Sequence, residues 1–324
     1  MNHMLLKKSL LFVLLFSAIQ VSWGQQDKLL THFMYDKMSL NPGKTGIDLL
    51  NGICGTSMYR NQWDKVNGAP NSAVLNVEAN LDKYFPGGIG ISFYHDAIGF
   101  ATQNNAILNY SYPISFGNAG TLGLGIGVGI MNYGMSPTWV PPTSNPDNYL
   151  PAGFSATNLD LNFGAYFQGK DFYAGFSSTH LSESLLKQSV TTPSGNVVQN
   201  YQTARHYYLM GGKKFEDVAS GTIDAQILMR TDLVKFSADI NARYLYDLGD
   251  GKEVYGGLTV RTSDAFALML GYTPFPNFTF GYSYDFTLLN KLSTISRGSH
   301  EIMLKYCMFL PEPPTQSARH VRWL

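Results

Sequence analysis

The 324-residue chain carries 23 basic and 23 acidic side chains, a balance that gives no electrostatic reason to expect nucleic acid. Charged and aromatic residues each make up 14%, with 32 glycines and 20 tyrosines. Past the N-terminus no run reaches the roughly twenty apolar residues of a membrane helix, so this composition points to strands that face lipid on alternate positions.

Residues 1–24 read as a signal peptide. Lys7 and Lys8 form a basic start, and Leu10 to Ile19 is an apolar stretch too short to span a bilayer. Ser22 and Gly24 place small side chains for cleavage after Gly24, and the position directly after it is Gln25 rather than the Cys that a lipid anchor needs. Without Lys7 and Lys8 the 23 basic residues become 21, against 23 acidic, a net charge near −2.

Residues 25–48 show no sustained alternation and contain Asn41-Pro42, so no barrel strand is expected there. Leu29, Leu30, Phe33, Met34, Tyr35, Met38 and Leu40 are too apolar for a free tail. The segment is therefore expected at the periplasmic end or packed in the lower lumen, against a glycine-lined strand. Gly43-Lys44-Thr45 is no phosphate loop, because Met38 stands where the pattern needs glycine.

Residues 49–310 alternate with period two almost throughout. Ala73, Leu75, Val77, Ala79 and Leu81 oppose Ser72, Asn76, Glu78, Asn80 and Asp82. Phe278, Phe280, Tyr282, Tyr284 and Phe286 oppose Thr279, Gly281, Ser283, Asp285 and Thr287. The alternation predicts strands at 51–63, 72–82, 88–99, 103–115, 120–133, 156–168, 171–182, 202–213, 220–231, 233–248, 252–262, 265–274, 277–288 and 298–310. This is an all-β, transmembrane antiparallel barrel of about fourteen strands in a bacterial outer membrane. The long links, 134–155, 183–201 and 289–297, all fall at odd positions, on the outer side if the N-terminus is periplasmic. A β-sandwich or lipocalin-like barrel would have to bury all these apolar positions inward, more than one sheet pair encloses. On the fifth strand Gly123, Gly125, Gly127 and Gly129 leave one face without side chains. The lumen beside it is either open or filled by another part of the chain.

Few residues invite a chemical reading. His95-Asp96 could be half of a catalytic dyad, but no Ser in a G-x-S-x-G setting accompanies it, and a polar pair at the rim or in the lumen is the plainer reading. No metal-binding spacing and no cofactor motif stands out, so no catalytic, metal or cofactor residues are assigned. Cys54 and Cys307 lie near the periplasmic ends of the first and last strands. They are neighbours in a closed barrel, either as a disulfide or as two free thiols. Arg60, Asp285 and Glu301 sit inward in the outer halves of strands one, thirteen and fourteen, as a charge network stapling the seam or as a transport filter. Otherwise the inward face reads as glycine, serine and asparagine with few charges. Trp63, with Gly68, Ala69 and Pro70, marks the first outer loop, either as an interfacial girdle or as a flap over the lumen. Residues 311–324 cannot continue the last strand past Pro311, Pro313 and Pro314. This periplasmic tail is a frayed stub or a docking peptide that uses Arg319, Arg322 and Trp323.

The segment Gln26-Asp27-Lys28-Leu29-Leu30-Thr31-His32-Phe33-Met34-Tyr35-Asp36, followed by Leu40-Asn41-Pro42 and Gly46, resembles the opening of PorP/SprF proteins. Tyr59-Arg60-Asn61-Gln62-Trp63 and Gly68-Ala69-Pro70 are similar to that family's R-x-Q-W…G-A-P signature. Asp96-Ala97-Ile98-Gly99, Asp239-Ile240-Asn241-Ala242-Arg243, Gly281-Tyr282-Ser283-Tyr284-Asp285 and Ser299-His300-Glu301-Ile302 follow in the family's order. Lys28 departs where the family has proline, and Gly43-Lys44-Thr45 departs where it has small and aromatic residues. The resemblance implies a non-enzymatic outer-membrane component of the type IX secretion and gliding machinery. Its implied partners are outer-membrane lipid, a large secreted surface adhesin and periplasmic components. The competing expectation is a porin or hydrophobic-solute channel.

Overall fold

The computed structural model describes residues 28–49, 52–82, 84–138, 153–183, 185–192, 195–262, 265–287 and 294–309. The expected signal peptide and the tail with Arg319, Arg322 and Trp323 lie outside them. The strands are β1 Gly52–Asn61, β2 Asn71–Asn80, β3 Gly88–Ile98, β4 Ala101–Ser115, β5 Thr121–Met135, β6 Phe154–Gln168, β7 Phe172–Thr179, β8 Leu185–Thr192 and β9 Gly195–Gln202, then β10 His206–Val218, β11 Gly221–Thr231, β12 Phe236–Gly249, β13 Lys252–Arg261, β14 Ala265–Phe275, β15 Phe278–Thr287 and β16 Ser299–Phe309. β1–β7 and β10–β16 pair antiparallel with their chain neighbours, and β1 pairs β16, so fourteen strands close a barrel. Closure leaves no unpaired edge and satisfies the backbone internally, which a lipid environment demands.

Period-two alternation sorts the side chains. Outward positions expose apolar groups, with Leu270 at 66% and Leu108 at 54%, while inward Met303 and Glu301 are both at 0%. In a soluble protein such an exposed belt would drive aggregation; in a bilayer it is the solvated face. The long connections gather at one rim, the loop rim, which carries 62–70, 136–153, 180–205 and 288–298. The opposite turn rim has tight links such as Ala219-Ser220 and Asp250-Gly251.

Boundaries differ from the sequence reading at several strand ends, as where β7 stops at Thr179 and β12 starts at Phe236, and three further differences have a local cause. β1 stops at Asn61 because Trp63 takes a left-handed φ of 51°, which a strand cannot carry. β10 runs on to Val218 through a bulge near Phe215, although Lys213, Lys214, Glu216 and Asp217 make that end look like a turn. The expected link 183–201 holds a hairpin, β8–β9, that stays outside the barrel sheet.

Lys28–Leu49 forms no strand. It makes a 3-10 turn at Phe33–Tyr35, one α-helical turn at Lys37–Leu40 and another 3-10 turn at Pro42–Lys44, inside the lumen. Phe33, Met34 and Leu40 pack on inward Tyr166, Tyr173, Tyr208, Met210, Leu228 and Met269. Leu30 packs on Met58, Val74, Tyr94 and Met303. The barrel's core is therefore between wall and plug. The glycine face of β5 explains how the plug approaches so closely. A Cβ at Gly123 would collide with the Gly43 carbonyl, and one at Gly125 with the backbone of Pro42.

Candidate functional site

The wall grips the plug through a charge belt. Arg60 of β1 stands opposite Glu301 of β16 in register, and its guanidinium contacts Glu301 at 3.2 Å and Asp285 of β15 at 2.7 Å. The same Arg60 donates to Thr31 Oγ1 at 3.0 Å. Glu301 accepts the backbone N–H groups of Thr31 (2.8 Å) and His32 (2.7 Å) and sits 2.8 Å from His32 Nδ1. Thr31 donates to Asp285 at 2.8 Å. The three sequence-assigned residues thus come together, all within 1% of full burial, and they hold the plug as well as the seam.

The belt is longer than the sequence reading allowed. Arg261 of β13 bridges Asp285 (3.3 Å) and Asp239 of β12 (2.9 Å), and Asp239 also pairs Arg230 of β11. Arg230 donates to the Lys28 carbonyl at 3.1 Å. Nearer the turn rim, Arg243 pairs Asp224 at 2.6 Å and donates to the Tyr35 hydroxyl at 2.9 Å. The expectation of an inward face with few charges is corrected here. Each strand contributes only one or two such residues, and barrel register gathers them. Belt charges balance as arginine against carboxylate, so burial is offset by pairing rather than left as bare charge.

The rest of the plug is held by its backbone. Ser177 donates to the Leu40 carbonyl at 2.6 Å and Ser111 to the Gly43 carbonyl at 2.7 Å. Asn41 reaches the carbonyls of Ala165 (3.0 Å) and Phe176 (3.3 Å). At the turn rim Glu78 accepts the Gly46 N–H at 2.9 Å and pairs Lys44, which also meets Asp48 at 2.8 Å. Burial pulls the Lys44 ammonium down, but Asp48 and Glu78 outweigh it and raise its pKa. Burial pushes the Asp48 carboxyl up, yet Lys44 and Lys305 hold it down at about 2. Lys37 has no such carboxylate pair; its ammonium lies 3.6 Å from the Tyr173 ring centre, and burial lowers it to about 7.

Cys54 and Cys307 face each other across the β1–β16 seam and are joined as a disulfide, with Leu49 packed against them where the plug meets the wall. Trp63 is half-buried beyond β1, and its backbone N–H donates to Ser299 Oγ at 3.1 Å. Gly68 takes φ 73°, and its carbonyl accepts the Gly99 N–H at 2.9 Å; Pro70 accepts the Gln62 N–H. His95 faces outward and meets Asn104 at 2.7 Å, while Asp96 accepts from Ser72 at 2.6 Å. The two form no dyad. Among the described residues no group of His, Cys, Asp and Glu has metal-binding geometry.

The belt's missed members carried a weak signal. Arg230, Asp239, Arg243 and Arg261 each stand at an inward position of an alternating strand, but nothing local distinguishes a lumen charge from a rim charge. Thr31 and His32 gave none.

The fold resembles solved barrels. The Ralstonia pickettii toluene transporter TbuX aligns with a TM-score of 0.53 at 10% identity, over 86% of this chain and 94% of its own. The monoaromatic hydrocarbon channel CymD aligns with a TM-score of 0.50 at 10% identity, over 86% and 93%. At such identity the likeness is one of fold alone. None of the curated proteins compared matches the chain. Against family models the result is specific: residues 22–306, covering the plug, the signature around Arg60 and Trp63, and nearly all the barrel, match the type IX secretion system membrane protein PorP/SprF, and the chain belongs to that family.

Proposed function

We propose that the chain is a non-enzymatic outer-membrane barrel of the type IX secretion and gliding machinery that helps to secrete or hold a large surface adhesin. In this reading residues 1–24 direct export and the loop rim faces outside. The turn rim and the tail 311–324, with Arg319, Arg322 and Trp323, meet periplasmic components.

One observation carries the reading: the chain's own residues 28–49 occupy the lumen. A porin, or a hydrophobic-solute channel such as the toluene transporter TbuX or the monoaromatic hydrocarbon channel CymD, needs a passage. Here apolar packing on Phe33 and Leu40, the belt on Thr31 and His32, and backbone contacts at Asn41–Gly46 fill it. A plugged barrel works through its rims, by holding proteins.

The test is deletion of the gene with complementation. Wild-type protein is expected to restore adhesin at the cell surface and to co-purify with periplasmic machinery. A chain lacking 311–324 should still fold, by heat-modifiable gel mobility, but lose the periplasmic partners. Normal adhesin display without the protein overturns the reading.

A further inference from the structure

The loop after β1 builds a small cleft on the outer flank of the loop rim, lined by Asn61, Trp63, Asp64, Lys65, Asn67 and Asn71. Its volume is 270 Å³, just below the roughly 300 Å³ at which pockets for drug-sized ligands begin, so it suits one small ring. The main chain around it is tied down. Gln62 N–H bonds Pro70 O, Val66 N–H bonds Trp63 O and Ala69 N–H bonds Val66 O within the loop. Asp64 N–H bonds Gly298 O at 2.8 Å and Gly99 N–H bonds Gly68 O at 2.9 Å, tying it to both neighbouring connections.

The backbone is also held in costly conformations. Trp63 and Lys65 have φ of 51° and 69°, and non-glycine residues there need a surrounding structure that enforces them. Meanwhile the side chains of Asn61, Asp64, Lys65 and Asn67 have no hydrogen bond or ion pair among the described residues. A loop that ties part of its backbone to itself and to its neighbours, and leaves amides, a carboxylate and an ammonium around an indole, is prepared for a ligand recognised by side chains.

We propose that this cleft binds a saccharide ring. A sugar offers an apolar C–H face to the indole, while its hydroxyls suit amides that both donate and accept and a carboxylate that accepts twice. Position fixes the source. Asn61 and Asn71 pair across β1 and β2 on the outward face, two residues from Tyr59, which is 52% exposed toward the apolar belt. The cleft thus opens at headgroup height, and its ligand is the sugar headgroup of a lipid-linked saccharide in the outer leaflet, with Lys65 beside any anionic substituent. This placement rests on the reading that sets the loop rim outside; the adhesin role does not enter.

The test uses the purified mature barrel in detergent, with Trp139→Phe and Trp323→Phe so that Trp63 reports. Rough lipopolysaccharide and its deacylated core oligosaccharide are titrated separately, with phosphatidylglycerol and a mixed peptide pool as controls. A saturable fluorescence change with both saccharides is expected, weakened at least tenfold by Asp64→Ala and by Asn67→Ala, each checked for folding by heat-modifiable mobility. Equal binding by both variants, or a response to phosphatidylglycerol or peptide but to neither saccharide, overturns the proposal. A response to free oligosaccharide alone overturns the lipid-linked source. Surface display of adhesin is read separately, so failure here leaves the secretion reading standing.

Discussion

Gly125→Ala should unseat the plug. The added Cβ meets the backbone of Pro42, which cannot swing aside as a side chain could. Moving Asn41–Gly43 breaks the bonds Asn41 makes to Ala165 and Phe176, Ser111 to Gly43 and Ser177 to Leu40. At about 1 kcal/mol for each neutral hydrogen bond these sum to about 4 kcal/mol. Partial release of Leu40, now 3% exposed, adds about 1 to 2 kcal/mol. Replacing a strand glycine returns only about 0.5–1 kcal/mol, so the clash decides the sign. Limited trypsin digestion of the folded barrel reads the outcome, since Lys37 and Lys44 are cleavable only in a displaced plug. Gly55→Ala is the control, because a Cβ there meets only backbone oxygens at 3.9–4.0 Å. Gly125→Ala should be cut at both lysines while Gly55→Ala resists like wild type. Equal resistance of the two variants would refute close packing of plug on the glycine face.

Arg60→Met should destabilise the barrel by about 3–5 kcal/mol, because it strands Glu301 and part of the Asp285 pairing in a buried site; Arg60→Lys should recover part of that, read as the temperature of the heat-modifiable shift. Reductant, or Cys54→Ser, should lower the same temperature by opening the seam, within the range up to about 5 kcal/mol known for disulfides, and the two treatments should not add. Lys37 is lowered to about 7 from 10.5, so the unfolded chain binds more protons between those values and stability rises with pH across about 7 to 10.5. Lys37→Met should flatten that slope and stabilise the plug at neutral pH.

The barrel was legible because alternation is local: Leu159, Leu161 and Phe163 against Asp160 and Asn162 declare a strand without any knowledge of neighbours. The facing positions of Arg60, Asp285 and Glu301 were legible for the same reason. The rest of the belt was not, because Arg230, Asp239 and Arg261 meet only through the register of β11 to β13. Plug contacts were harder still. Thr31 and His32 touch Glu301 across about 270 positions of sequence, and no period records a contact made by turns inside a lumen. The hairpin β8–β9 was missed because its segment looked like one more long link between barrel strands.

Conductance in a planar bilayer tests the sealed lumen most directly. Purified wild-type barrel should give no steady current, and a chain lacking residues 25–46 should give discrete, lasting channels. Steady ohmic current through the intact wild-type protein would contradict a barrel plugged by its own N-terminal segment.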